Sequence, residues 1–343
     1  MIPFFKNKNK GKNDFGSVGL DIGSSSLKLV KLKFVKGSPK LSGFALEPAK
    51  EDLLPQVKAL AQSNGIERVN LSVSGAPTII RYINLPRMSE EELRQAIKFE
   101  AQKHIPFSIN EVNVDAVILN PELPENKMLV LLAAVKKDLM SQRMKLMEDA
   151  GLKVDIIDVD SLALINAFNF NYSQDPTFKS QTLALLNIGS SYSNLNILED
   201  GVPRLSRDIH IGSEKFTQKI VENLGVDLKL AEDLKLDPEK DKEKQDKVRQ
   251  AIESVLTGLA GEISTSFDYY ESQSAAVVSK VWLSGGGSLS KGLKEALFNI
   301  AGVKVEYWDP LKNIEIADGV DAPKIKSLSS AFGIAIGLAL RQQ

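Results

Sequence analysis

Residues 18–33 read V-G-L-D-I-G-S-S-S-L-K-L-V-K-L-K: an apolar run enters a tight turn and leaves through alternating Leu27, Leu29 and Leu32. That alternation is the signature of a β-hairpin with one buried face. Gly23 and the small hydroxyl residues Ser24, Ser25 and Ser26 let main-chain N–H groups approach an anion closely. Lys28 adds a positive charge just past the bend. The stretch is compatible with a phosphate cradle, although a Gly-Ser hairpin by itself specifies no ligand.

The same element recurs. Residues 183–198 read L-A-L-L-N-I-G-S-S-Y-S-N-L-N-I-L, again a strand, a turn through Ile188, Gly189, Ser190 and Ser191, and an alternating strand. One copy in each half predicts two similar lobes rather than a solenoid, which needs several copies. Two such turns could hold a polyphosphate from both sides. A third stretch, residues 281–292, reads V-W-L-S-G-G-G-S-L-S-K-G. Its Gly285, Gly286 and Gly287 leave room for a flat ring or a ribose against the backbone, and Ser288 follows them.

Composition narrows the function classes. A length of 343 residues predicts two domains or one large bilobal one. The formal net charge of −1 offers no basic field for nucleic acid. With no cysteine there is neither a disulfide framework nor a thiol nucleophile, and the two histidines, His104 and His210, lie far apart, which disfavours a histidine metal site. His210 sits between Ile209 and Ile211 and is expected to be structural. No apolar run reaches the roughly 20 residues of a bilayer span. The nearest, at 328–340, is expected to be a buried helix, with Gly333 and Gly337 allowing close packing on a neighbour. The first 16 residues read as a basic flexible leader without the apolar centre of a secretory signal. A cytosolic setting is expected.

Between the two hairpins the pattern predicts a helix over 52–63 ending at Gly65 and a strand over 69–73. There follows an insertion. Ser89 and Glu92 form a capping box that opens a helix through about 103. Strands are expected at 112–119 and 128–135, then a helix at 137–150 whose Met140, Met144 and Met147 suit a core. Asp160 precedes an apolar helix at 162–168, as an N-cap or as a functional carboxylate. In the second half helices are expected at 214–224 and 248–270, and the charged run 238–247 is expected to be solvated.

The three glycine-containing stretches, in this order, resemble the first phosphate, second phosphate and adenosine motifs of the actin-like ATPase superfamily. The run R-x-I-x-L-P, M-S-x-E-E-L and F-E-A-x-x-x-I-P-F within residues 81–111 is similar to the inserted subdomain of the PilM family, the FtsA-like proteins of type IV pilus assembly. The resemblance covers nearly the whole chain. It implies an α/β bilobal actin-like ATPase fold of two RNase H-like lobes with an FtsA-type inserted subdomain. The implied division is a leader at 1–16, a first lobe from 17–80, the insertion at 81–153 and a return with an interlobe helix at 154–180. A second lobe follows at 181–343, with a helical subdomain at 213–275 and a closing interlobe helix at 328–341.

The resemblance also implies a ligand and a partner. The cofactors would be ATP and Mg²⁺, with Asp21 on the metal through water, Lys28 on phosphate, and main-chain N–H groups of both turns on the β and γ phosphates. Glu232 and Lys235, in an A-E-x-x-K segment, and the 285–288 turn would hold the nucleoside. Asp160 is the nearest match to the carboxylate that orients the attacking water. Asn187 stands where the superfamily usually has Asp, and Asn194 near a position where PilM proteins tend to carry Thr. An amide brings no charge and accepts no proton, so weak or negligible hydrolysis is expected. The implied partner is the cytoplasmic N-terminal peptide of PilN, with Arg81, Ile83 and Leu85 as groove residues. Further platform or motor proteins are implied, and membrane association would come through a partner. The rival readings are a small-molecule kinase of the same superfamily and an FtsA-like cell-division filament protein.

Overall fold

The computed structural model describes residues 14–178 and 181–341. Most of the leader expected at the N-terminus, residues 1–13, lies outside that range. The chain divides into two compact units. One takes the chain up to Phe170, then Asn313–Val320 and Ile334 onward; the other takes Asn171–Lys312 and Asp321–Gly333.

In the first unit β1 (Asp14–Ile22) and β2 (Ser26–Val35) form the expected hairpin. A third strand, β3 (Ser38–Pro48), continues antiparallel beside β2, with a register shift between Lys31 and Leu32. Helix α1 (Leu53–Asn64) starts where the Asp52 side chain accepts from Leu54 N and stops at Gly65, whose φ of 58° is left-handed. Then come β4 (Arg68–Val73), β5 (Thr78–Pro86), α2 (Glu90–Ala101), β6 (Val112–Leu123), β7 (Lys127–Lys136), α3 (Lys137–Asp149), β8 (Lys153–Val159) and α4 (Asp160–Tyr172). The Ser89–Glu92 capping box forms in both directions at the start of α2. Of the methionines on α3, Met147 is buried while Met144 is exposed, because only one edge of the helix meets the sheet.

The second unit contains β9 (Thr182–Ile188), β10 (Ser193–Glu199), β11 (Val202–Ile209), α5 (Ser213–Leu224), α6 (Leu228–Leu236), α7 (Gln245–Gln273), β12 (Lys280–Ser284), α8 (Leu293–Ala301) and β13 (Lys304–Tyr307). The remaining elements are β14 (Glu315–Ile316), α9 (Ala322–Leu328) and α10 (Gly333–Ala339). His210 follows β11 as an exposed residue rather than a packed one, since the inward position is taken by Ile209.

The two sheets repeat one topology. In the first unit the order is β14-β3-β2-β1-β4-β8, and in the second β11-β10-β9-β12-β13. Each has three antiparallel strands from a meander, then two parallel ones added beside its first strand. In the first unit Leu20, Leu27, Leu29 and Leu71 pack with Val57 and Leu60 of α1 and Met147 of α3. In the second, Leu186, Ile188, Leu195, Ile197 and Leu283 pack with α5, α7 and α8. The insertion builds a separate sheet, β5-β7-β6, with Leu93, Ile97 and Ala101 of α2 on Ile83, Leu85, Met128, Val130 and Leu132.

The single helix expected over 328–341 is broken. A 3₁₀ turn at Ser329–Phe332 separates α9 from α10. The carbonyl of Ser330 accepts from Gly285 N at 2.8 Å, which diverts it from a helical ladder. Beyond the break, α10 approaches its neighbours as closely as Gly337 allows. A Cβ at Gly337 would lie 1.8 Å from the Ala163 carbonyl oxygen on α4, and one at Gly19 of β1 would lie 2.1 Å from the Ala335 oxygen on α10.

Candidate functional site

The turn of the first hairpin is closed by Gly23 N donating to Ser26 O at 3.0 Å, and Ser24 and Ser25 are exposed at its tip. Strand register sets Asp21 opposite Lys28, and their side chains meet with Nζ 3.0 Å from Oδ2. The side chains are only 7% and 12% exposed, so this is a largely desolvated pair at the mouth of the turn. Its carboxylate is a hard oxygen ligand suited to magnesium, and its ammonium suits phosphate.

Asp160 lies in the first turn of α4 and is half-buried. Two residues earlier, sequence reading missed Asp158, whose side chain is 1% exposed and whose Oδ2 lies 2.9 Å from Nε of Arg341, itself 4% exposed. Val159 N donates to the other oxygen at 2.8 Å. Burial pushes the Asp158 carboxyl up from its ordinary range while the Arg341 charge opposes the shift. Neither partner belongs to a local motif, so nothing in the sequence could pair them.

In the second unit the Gly189, Ser190, Ser191 turn rests on the start of α5. Ser213 N donates to Gly189 O at 2.8 Å and Glu214 N to Ser190 O at 3.0 Å. These are two of the four N–H groups that a helix leaves unsatisfied at its start, so turn and helix fix each other. Asn187 lies at the end of β9 just before the turn. Its Nδ2 donates to Asn194 Oδ1 at 3.2 Å, and Asn194 Nδ2 donates to Asp208 Oδ1 at 2.6 Å.

Glu232 and Lys235 lie three apart on α6, where i,i+3 residues share a face. Lys235 Nζ donates to Glu232 Oε1 at 2.8 Å, to the Thr217 hydroxyl at 2.9 Å and toward Ser213 O at 3.5 Å. Thr217 in turn donates to Glu232. The lysine side chain is 6% exposed and the glutamate 48%, so the lysine and threonine hold a carboxylate that faces solvent.

The glycine turn has less room than its composition suggests. A Cβ at Gly285, whose φ is +93°, would meet Ile188 O at 2.3 Å, and one at Gly287 would meet the Ile188 and Ser213 side chains. Two of the three glycines are therefore required by packing, and only Gly286 faces open space. Ser288 is buried, with its hydroxyl on Gly285 O at 2.7 Å and its own carbonyl accepting from the Tyr307 hydroxyl at 2.7 Å.

Burial pushes the Tyr307 hydroxyl up to about 12. A group whose pKa is raised on folding contributes stability present below its unfolded value, near 10, and lost as pH climbs to about 12. Tyr307→Phe is therefore expected to flatten the loss of thermal stability between these limits; a variant that loses stability as steeply as the parent would contradict this.

On the inserted sheet β5 is an edge strand, and Arg81 is exposed on it, its guanidinium donating to Ile80 O at 3.0 Å. The expectation that Ile83 and Leu85 line an open groove is not met. They are 7% and 4% exposed, packed in the core beneath α2. Ile83 and Leu85 alternate along β5, but which of its faces α2 covers depends on packing between elements and cannot be read from the strand itself.

A three-plus-two strand arrangement repeated in both units, extended in the first by β14 at its edge and opening in each on a Gly-Ser hairpin, defines the actin-like ATPase fold. The chain is similar in structure to the ethanolamine utilization protein EutJ from Carboxydothermus hydrogenoformans, at 13% identity over 99% of this chain and 92% of that one, with a TM-score of 0.58. Within that class the chain belongs to the family of type IV pilus assembly protein PilM, whose model matches residues 19–343. It is also similar to a chain of the PilM-PilN type IV pilus biogenesis complex, at 26% identity over 95% of this chain and 98% of that one, with a TM-score of 0.83. Among the described residues no helix is long and apolar enough to cross a membrane.

Proposed function

We propose that, within type IV pilus assembly, this chain is an ATP-binding scaffold of the inner-membrane platform that captures the cytoplasmic N-terminal peptide of PilN. The observation that carries the reading is the likeness to the PilM-PilN complex over 95% of the chain. The insertion at 81–153 is the assigned docking module, with Arg81 as its retained candidate contact. Membrane association comes through the partner, which supplies the anchor.

The residues present suit a magnesium nucleotide. Asp21 would hold the hydrated metal and Lys28 the phosphates, aided by main-chain N–H groups of the 23–26 and 189–191 turns. Glu232, held by Lys235 and Thr217, would accept from hydroxyl groups of the nucleoside, and Gly286 leaves its face open. Magnesium supplies charge neutralisation to the phosphates when bound. Asn187 contributes no charge and takes no proton. The chain is therefore a slow ATPase at most, and nucleotide serves as a structural ligand that stabilises the fold by mass action.

Calorimetric titration with Mg-ATP, with phosphate release followed on the same sample, tests this directly. Wild type is expected to bind with little release, and Asp21→Ala to lose at least about tenfold in affinity, roughly 1.4 kcal/mol. A PilN N-terminal peptide is expected to bind both proteins. Absence of peptide binding by the wild type would overturn the scaffold reading, and absence of Mg-ATP binding the nucleotide reading.

A further inference from the structure

Four neighbouring strands of the second unit each place one polar residue in a single row across the sheet. Register pairs Ser284 of β12 with Asn187 of β9, Asn187 with Asn194 of β10, and Asn194 with Asp208 of β11. Side-chain bonds follow that row without a break: Ser284 Oγ lies 3.5 Å from Asn187 Oδ1, Asn187 Nδ2 donates to Asn194 Oδ1, and Asn194 Nδ2 donates to Asp208 Oδ1. Ser284, Asn187 and Asn194 are 0%, 7% and 2% exposed, so water does little to compete with these bonds.

The row has one polarity, and Asp208 sets it. An ionised carboxylate only accepts, so Asn194 must turn its N–H₂ toward β11, and at 2.6 Å the contact is shorter than an ordinary neutral N–H···O bond. Its oxygen then faces β9. Asn187 must answer with its own N–H₂, which leaves its oxygen toward Ser284. The orientation of an amide beside the 189–191 turn is thus fixed by a charge two strands away. We propose that Asp208 is a positioning residue: through Asn194 it fixes which end of the Asn187 amide faces β10, and it keeps the negative charge of the row away from the second hairpin turn.

The assignment predicts a charge swap. Asn187→Asp places an acceptor where a donor is needed. Asn194 then has an acceptor on both sides, and whichever way its amide turns, its oxygen faces a carboxylate. Asp208→Asn removes the anchor and leaves either polarity possible. In the double variant Asn187→Asp/Asp208→Asn the row can run in reverse, with each donor again meeting an acceptor.

Thermal unfolding of the four full-length proteins is the first readout. Asn187→Asp is expected to lower the midpoint by about 5 °C or more, and the double variant to return to within roughly 2 °C of wild type. Additive losses would overturn the proposal. The second readout rests on the nucleotide reading above. With the carboxylate moved next to the turn, the double variant is expected to release phosphate from Mg-ATP about tenfold faster than wild type or more, which a purely structural row would not do. Unchanged release from a double variant that folds and binds would reduce Asp208 to a structural residue and overturn its positional role. If the wild type binds no Mg-ATP, the nucleotide reading fails and the thermal cycle alone decides whether Asp208 orients Asn187.

Discussion

Gly337→Ala is expected to lower the thermal midpoint by roughly 10 °C or to leave no folded protein. The added methyl would sit 1.8 Å from a carbonyl oxygen and 2.5 Å from a carbonyl carbon of Ala163. Both are backbone atoms of α4, so no side-chain rotation relieves the clash and α10 must back away. That withdrawal also opens the contact over Gly19 and strains the bond from Asn70 Nδ2 to Leu338 O at 2.9 Å. Overpacking a core commonly costs about 1–3 kcal/mol; where the atoms struck are all backbone of one neighbouring residue and cannot rotate away, about 3–5 kcal/mol is the reasonable scale. Gly261→Ala is the matched control. It lies within α7 with nothing within 4 Å of its missing Cβ, so the same change should stabilise by about 0.5–1 kcal/mol. Equal midpoints for the two variants would rule out the close approach.

Arg341→Met is expected to cost about 3–5 kcal/mol in denaturant unfolding, because it strands the Asp158 carboxylate without its counter-charge. That side chain is 1% exposed. The combined variant Arg341→Met/Asp158→Leu should recover most of the loss, since two apolar side chains neither need nor miss a partner. The pair therefore contributes position more than stability. It ties Arg341, two residues past α10, to the end of β8, next to the carbonyls of Leu338 and Arg341 that Asn70 already holds. A double variant no more stable than the single one would refute that account.

Local signals in the sequence were read well because their physics is local. The two hairpins follow from alternation, α1 from Asp52 and Gly65, and α2 from the Ser89 capping box. Strands β3 and β11 carry too many polar residues on their outer faces to stand out, and β14 has two residues. The break before α10 depends on Gly285, far away in sequence, taking the Ser330 carbonyl. The candidate site divides in the same way. The turns announce themselves by composition, whereas Thr217 behind Glu232, Asp208 behind Asn187 and Arg341 beside Asp158 become visible only when strands and helices from distant parts of the chain are aligned.

The discontinuous first unit sets a schedule for biosynthesis. Its sheet receives β14 only when residues 315–316 have left the ribosome, and the surface of β1 around Gly19 is covered only after α10 follows. At about 5–20 residues per second, the stretch between Phe170 and Ile334 takes on the order of ten to thirty seconds to translate. Throughout that interval the nascent first unit exposes apolar strand and helix surface that its own late segment is destined to cover. It is then a natural client for a holding chaperone, and a truncation before residue 334 should reach the cell as an aggregation-prone fragment rather than as a working half.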